Sequence, residues 1–120
     1  MAQEMKKLVP SACISRAALE GTDPMSVEAM HMFVSIYGTE AANLAFKIMA
    51  TSGVYLGGGI APKILPMLQE GRFMEAFRTT GPLRRVLEQI PVSVMLNDKA
   101  ALLGAAVFAR KSAAQARQPQ

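Results

Sequence analysis

The sequence predicts an α/β fold: a long helix, a short strand, a glycine-rich turn, several short helices, a second strand and a final helix. Three observations lead to this prediction. Apolar residues recur at helical spacing between Asp23 and Ile48. Two short apolar runs, Val54–Leu56 and Pro91–Leu96, have the composition of strands. Three consecutive glycines, Gly57–Gly59, separate the first strand from the helices that follow.

The two predicted strands are joined by a helical crossover, and such a connection makes neighbouring strands parallel. The run Val54–Leu56 has no polar alternation, which is typical of a strand that is covered on both faces. Two strands are too few for an independent sheet of this kind. We therefore expect the chain to be part of a larger sheet, or a sheet that a second copy of the chain completes.

Residues that favour helix ends mark the boundaries of the first two helices. Residues 1–22 are weakly patterned, and within them Ile14–Glu20 is predicted as a short helix that ends at Gly21. Asp23 then suits an N-cap and Pro24 suits the first helical position of the long helix.

The long helix carries a broad apolar face. Because its apolar residues alternate at spacings of three and four, they predict one continuous stripe. Gly38 lies inside the pattern and is expected either to divide the helix in two or to bend it. The stripe consists of Val27, Met30, Val34, Tyr37, Ala41, Leu44 and Ile48, and Phe33, Ile36 and Phe46 broaden it.

The second half of the chain is predicted to be mostly helical. Proline and glycine mark the ends of its helices, and the small residues of the last helix favour close packing against a neighbour. The predicted elements are Pro62–Gln69, Phe73–Phe77, Pro82–Gln89 and a final helix, Lys99–Ala113, capped by Asn97 or Asp98 and followed by a frayed end at Gln115–Gln120. The chain is thereby divided into a weakly patterned segment (1–22), a central α/β part (23–98) and a terminal helix with its tail (99–120).

Composition excludes several classes of protein. Of the 120 residues, 51% are hydrophobic and 18% charged, which argues against a disordered chain. The net charge is +4, but the basic residues are dispersed without interleaved aromatic residues, so nucleic-acid binding is not expected. No apolar run approaches the roughly 18 residues that span a bilayer, so we expect no membrane segment. Cys13 is the only cysteine, which favours a reducing, cytoplasmic compartment.

The glycine run is the strongest candidate for a binding site. The dinucleotide fingerprint would require a third glycine where Pro62 stands, and the phosphate loop would require Ser or Thr where Ile64 follows Lys63. What remains is a turn between a strand and a helix in which Gly57–Gly59 leave bare backbone for a base or a ribose. The alternative is tight packing of strand against helix with no ligand.

The other candidate residues have structural explanations. His31 has no second histidine or cysteine at ligand spacing, so we predict a structural histidine and no metal site. A Cys13–His31 hydrolase pair stays open by sequence, but a mobile N-terminal region is a poor place for a nucleophile. Asp98 would lie at the same sheet edge as the glycines and could touch a ligand there, although capping of the final helix by Asn97 or Asp98 explains its presence. Arg84 and Arg85 could meet a phosphate, but we expect them to be solvated charges on a helix. We predict no catalytic residue in this chain.

Three segments together resemble the C-terminal part of bacterial glucokinases. They are SGVYLGGGIAPKILPMLQEGRFMEAF, PLRRVLEQIPVSVMLNDKAALLGAA and, upstream, FVSIYGTEAANLAFKIMATSG. The resemblance extends from about Ile14 to Ala109, and the combination of GGGIAPKIL, IPV and LLGAA at these separations is far more specific than three glycines alone.

The resemblance implies part of an actin/hexokinase-like (ribonuclease H-like) lobe. It matches Gly57, Gly58 and Gly59 to the adenosine motif of that superfamily and Leu102–Ala106 to the second helix connecting the two lobes. An intact glucokinase would transfer the γ-phosphoryl group of ATP, with Mg²⁺, to the 6-hydroxyl of glucose in glycolysis. The family's glucose-binding residues, phosphate loops and aspartate base have no counterpart in this sequence.

The resemblance therefore predicts a glucokinase fragment that is inactive alone and binds ATP or ADP weakly at most. Two further hypotheses stay open. The first is a non-catalytic module that assembles into a homo-oligomer, since a missing lobe would leave apolar surface to cover. The second is an independent small nucleotide-binding protein.

Overall fold

The computed structural model describes residues 9–82 and 84–116. The chain is α/β, mostly helical, with one small parallel sheet, as the sequence predicts. Its elements in order are α1 (Pro10–Glu20), α2 (Pro24–Lys47), β1 (Val54–Leu56), α3 (Leu65–Gln69), α4 (Arg72–Thr79), α5 (Arg84–Leu87), β2 (Val92–Val94) and α6 (Ala100–Ala116).

Helix α1 begins at Pro10, four residues before the predicted start at Ile14, and ends as predicted at Gly21. Gly21 has a φ of 65°, the left-handed conformation that closes a helix without steric cost to glycine. Cys13 is only 3% exposed because α1 packs against α2. The expectation of a mobile N-terminal region is therefore wrong at Cys13.

Helix α2 starts as predicted. The side chain of Asp23 accepts a hydrogen bond of 2.8 Å from the backbone N–H of Ser26, and Pro24 occupies the first turn. The helix then continues without interruption to Lys47, so it is not divided at Gly38. A β-carbon at Gly38 would overlap the carbonyl oxygen of Phe73 and lie 3.1 Å from the β-carbon of Ala76. Gly38 thus permits close contact between α2 and α4.

The apolar stripe of α2 is buried only in part. Its buried members are Met30, Val34 and Ala41, and Gly38, Ala42 and Ala45 beside them are buried as well. Leu44 and Ile48, however, are 64% and 75% exposed. The helix that the stripe predicts is present, but these two side chains are not buried, because α1 and α4 cover α2 elsewhere.

The core lies between α2 and the short helices that follow the sheet. Phe73 and Phe77 of α4 are almost completely buried, and their rings lie 6.2 Å apart. The ring of Tyr37 meets the ring of Phe73 edge-on at 5.6 Å. Ile64, Leu87 and Val34 complete the group of the largest fully buried side chains.

The two strands form a parallel pair, as the crossover predicts. Val54 pairs with Val92 and Leu56 with Val94. Leu56 is buried, whereas Tyr55, which points to the opposite face, is 71% exposed. The prediction that β1 is covered on both faces is therefore wrong for the described residues.

The first helix after the glycines starts later than predicted. Residues 61–64 form turns, and the N–H groups of Lys63 and Ile64 both donate to the carbonyl of Ile60, at 3.0 and 3.2 Å. The helix begins only at Leu65, so Pro62 does not open it. Pro66 stands in the first turn of α3, where a missing N–H costs little.

Asn97 makes a side-chain hydrogen bond in the turn that leads into α6. The side-chain oxygen of Asn97 accepts a hydrogen bond of 3.0 Å from the N–H of Lys99. Residues 101–116 are all exposed, so the close packing expected of the small residues is not formed within the described residues. The predicted fraying from Gln115 is wrong for Gln115 and Ala116, which are helical, and residues 117–120 lie outside the described part.

Candidate functional site

The glycine turn lies directly at the carboxyl end of β1. The carbonyl of Leu56, the last strand residue, accepts a hydrogen bond of 2.9 Å from the N–H of Met95 after β2. Gly57–Gly59 follow at the surface, and all three are exposed. Gly58 has a φ of 96°, which L side chains rarely adopt. The turn therefore presents bare main chain at one end of the sheet.

Space around the glycines distinguishes the two interpretations of this turn. A β-carbon at Gly58 or at Gly59 would meet no atom within 4 Å. At Gly57 it would lie 3.0 Å from the terminal methyl of Met95, a flexible group that can move away. Packing of the described strand against the described helices therefore does not require glycine at 58 or 59.

A groove of about 370 Å³ opens beside the turn. It is the part of the site that the sequence did not predict, because it depends on how α1 docks against α2. Met30 and Phe33 are among its apolar lining residues, and Lys63 is the only ionisable side chain that the described part of the chain contributes to it. Gly59 belongs to the turn and also lines the groove, and Ser11 and Ser15 of α1 are among the other lining residues.

The other predicted site residues lie away from this turn. Nε2 of His31 is 3.8 Å from a carboxylate oxygen of Glu70, a contact that joins α2 to the segment after α3. Cys13 is buried in α1, where a substrate has no access to its thiol. Neither residue lines the groove beside the glycines.

The charged candidates are surface residues. Nε of Arg84 donates to a carboxylate oxygen of Glu88 at 2.7 Å, one helical turn away, and the Arg84 side chain is 66% exposed. Arg85 and Asp98 are also exposed. The prediction that Arg84 and Arg85 are solvated helix charges is confirmed.

Among the described residues, Asp23 and Tyr37 have shifted pKa values, and both shifts have structural causes. The hydroxyl and the N–H of Ser26 donate to the Asp23 carboxylate and lower its pKa. Burial raises the pKa of Tyr37. Within residues 9–82 and 84–116, no cluster of three or more His, Cys, Asp or Glu residues is placed to hold a metal ion. None of the helices in that part of the chain has the length and apolar character required to cross a membrane.

Comparison with known families identifies the chain. Residues 1–112 match the family model described as Glucokinase. The chain belongs to the glucokinase family. The resemblance seen in the glycine turn, the IPV segment and the LLGAA helix is thereby confirmed.

Individual glucokinases are similar over most of this chain but only part of their own length. The chain is 48% identical to the glucokinase of Synechocystis sp. over 110 residues, which is 92% of this chain and 31% of the relative. It is 45% identical to that of Nostoc punctiforme over 109 residues (91% and 32%) and 45% identical to that of Mesorhizobium japonicum over 97 residues (81% and 28%). The chain thus spans about a third of the length of the curated glucokinases it matches.

Proposed function

We propose that this chain forms the adenosine-side wall of the ATP site of a glucokinase, within the C-terminal part of an actin/hexokinase-like lobe. The observation that carries the proposal is the open glycine turn Gly57–Gly59 at the carboxyl end of a parallel strand in a chain of this family. The complete enzyme would transfer the γ-phosphoryl group of ATP to the 6-hydroxyl of glucose. A cytoplasmic location accompanies this proposal.

The turn suits an adenosine because it offers main chain without side chains. A planar base or a ribose can lie in van der Waals contact with backbone only where no β-carbon projects, and the space beside Gly58 and Gly59 is free. Ligands of open α/β sheets lie outside the carboxyl ends of the strands, which is where this turn stands. The neighbouring groove, with Phe33 among its lining residues, extends the apolar surface.

The 120-residue chain alone is proposed to be inactive as a kinase. Phosphoryl transfer requires a group that orients the attacking hydroxyl and positive charge around the transferred phosphoryl group. Within residues 9–82 and 84–116, no carboxylate lines the groove beside the glycines, and Lys63 is the only cation that does. Among the described residues, no group of three or more His, Cys, Asp or Glu side chains is placed to hold Mg²⁺ by itself.

Nucleotide titration with a matched pair of variants tests the binding proposal. In Gly59→Leu the new side chain fills the open space without backbone strain, and in Gly104→Leu the same change falls in equally open space on α6. We expect ADP at millimolar concentration to shift the amide signals of residues 57–59 in the unsubstituted chain and in Gly104→Leu. We expect no such shifts in Gly59→Leu.

Two results would contradict the proposal. Nucleotide-induced shifts that spare residues 57–59 would place the adenosine elsewhere, and no response at all would remove nucleotide binding from this chain. Phosphorylation of glucose by the purified chain would overturn the claim of inactivity.

A self-associating module is the second candidate function. Helix α6 favours it, because Leu102, Leu103, Val107 and Phe108 are 45–73% exposed on a helix that buries none of its residues. Exposed apolar surface of this kind is typical of a contact region. Light scattering at low protein concentration is the test, and a clean monomer would exclude a stable homo-oligomer.

A further inference from the structure

Lys63 is the one charged side chain that the described part of the chain contributes to the groove beside Gly59. It does not belong to a phosphate loop, because Ile64 follows it where such a loop has Ser or Thr. We propose that Lys63 sets the charge preference of this site: its ammonium group binds the phosphate next to the ribose of a nucleotide whose adenosine lies on Gly57–Gly59. The inference rests on the adenosine proposal and adds to it the residue that selects a nucleotide over a nucleoside.

The place of Lys63 is fixed by the turn that leads away from the glycines. Its N–H donates to the carbonyl of Ile60 at 3.0 Å, and the N–H of Ile64 donates to the same oxygen at 3.2 Å. Ile64 is only 1% exposed, so the turn is anchored in the core. Because Gly59 directly precedes this turn and lines the same groove as Lys63, a ligand on the glycines lies beside the lysine side chain.

The lining of the groove separates an uncharged region from this single charge. Apart from Lys63, the described lining residues are uncharged: Met30 and Phe33 are apolar, and Ser11 and Ser15 add hydroxyl groups. The volume of about 370 Å³ lies near the lower end of the range of about 300–1,000 Å³ that is typical of small-molecule sites. An apolar lining suits a base and a ribose, whereas a phosphate requires a cation or several hydrogen-bond donors.

The ammonium group of Lys63 is available for such a contact. Its side chain is exposed, and among the described residues no carboxylate is paired with it. Lysine binds phosphate as a point charge and does not need the paired geometry that arginine offers. Because the contact is open to solvent, we expect a preference for the nucleotide of about three- to fivefold in affinity.

Adenosine and AMP are the probes that test this inference, because they differ only in the phosphate group on the 5′-oxygen. Each is titrated into the full chain, and the dissociation constant is obtained from the amide signals of residues 57–59. We expect AMP to bind the unsubstituted chain about three- to fivefold more tightly than adenosine. In Lys63→Met, which keeps an unbranched side chain without the charge, we expect equal affinities for the two ligands and an unchanged affinity for adenosine.

Two further variants serve as controls. Lys63→Arg keeps the positive charge and is expected to keep the preference for AMP. Lys47→Met removes the same charge from an exposed lysine in the last turn of α2, outside the groove, and is also expected to keep it.

Salt dependence provides a readout that a purely structural role of Lys63 would not change. Raising the KCl concentration from about 0.05 M to about 0.5 M should reduce the preference for AMP in the unsubstituted chain, because salt screens exposed charges. The affinities of Lys63→Met should not respond in this way. Circular dichroism verifies that the variants are folded, and if Lys63→Met is not, the salt dependence of the unsubstituted chain decides.

Three results would overturn the inference, and they are distinguishable from one another. Equal affinities of the unsubstituted chain for adenosine and AMP would remove the phosphate contact but leave the adenosine proposal standing. An equal loss of both affinities in Lys63→Met would mean that the lysine packs on the nucleoside itself. If neither ligand shifts the signals of residues 57–59, the adenosine proposal fails and the role of Lys63 fails with it.

Discussion

Gly38 of α2 lies against the backbone carbonyl of Phe73 in α4, so close that the smallest side chain would overlap the oxygen. This contact joins the long helix to the helix that supplies the two most buried phenylalanines. It explains why a glycine, which weakens a helix interior, stands near the middle of α2.

Gly38→Ala is expected to destabilise the chain. The added methyl group must push α4 away from α2, and overpacking of this kind costs about 1–3 kcal/mol. Gly104→Ala is the control, because the position lies within a helix and a β-carbon there meets nothing within 4 Å. The control should be neutral or more stable in urea unfolding. Equal stability of the two variants would contradict the close contact at Gly38.

Phe77→Ala is expected to leave little or no folded protein. Phe77 is completely buried, and truncation of a buried phenylalanine typically costs about 3–5 kcal/mol, a large part of the stability of a small domain. Phe108→Ala removes the same atoms from a ring that is 73% exposed and should change the melting temperature very little. A melting temperature for Phe77→Ala close to that of Phe108→Ala would be inconsistent with the core described above.

Asp23 is expected to make the stability of the chain depend on pH. Hydrogen bonds from Ser26 lower the pKa of this carboxyl in the folded state. Its contribution is therefore complete above the ordinary aspartate pKa of about 4 and is lost as the pH falls through the lower, folded-state value.

The variant Asp23→Asn separates the contribution of the Asp23 charge to stability from the contribution of its helix cap. Asparagine can still cap the helix, but it does not ionise near the ordinary aspartate pKa of about 4. The Asp23→Asn variant should therefore lose less stability than the unsubstituted chain when the pH is lowered from about 5 to about 2. Thermal melts followed by circular dichroism measure this, and parallel curves for the two proteins would refute the role of the carboxylate. Asp23→Ala should have a lower melting temperature at neutral pH because it lacks the cap.

Removal of α6 is expected to leave the remaining fold intact. Of the residues that a chain ending at Lys99 loses, the described ones form α6, and none of these is buried. Its melting temperature should stay unchanged, while any self-association through Leu102 and Phe108 should disappear. A large drop in melting temperature for the monomer would mean that α6 packs on the core in solution.

Local signals in the sequence predicted the start of α2, the parallel pairing of the strands and the position of the glycine turn. The cap at Asp23, the parallel strands and the position of Gly57–Gly59 at the end of β1 depend on a few neighbouring residues or on a general rule of connection. The exposure of Leu44 and Ile48 was not predictable in this way. Periodicity identifies the apolar face of a helix, but it does not specify what covers that face.

The groove beside Gly59 was missed for a related reason. It forms only because α1 lies across α2, a contact between segments whose own patterns carry no information about their mutual orientation. The late start of α3 has a more local cause. The turns at residues 61–64, closed by the carbonyl of Ile60, take the place of the first helical turn that Pro62 favours.

Because Cys13 is buried, the reactivity of its thiol can be used to measure how often α1 separates from the rest of the protein. The sequence contains no other cysteine, and this one is 3% exposed in α1. A thiol reagent can therefore react only when α1 detaches from α2 or when the whole chain unfolds. The rate of labelling, compared with the rate of global unfolding, would show whether the N-terminal wall of the Gly59 groove opens independently of the core.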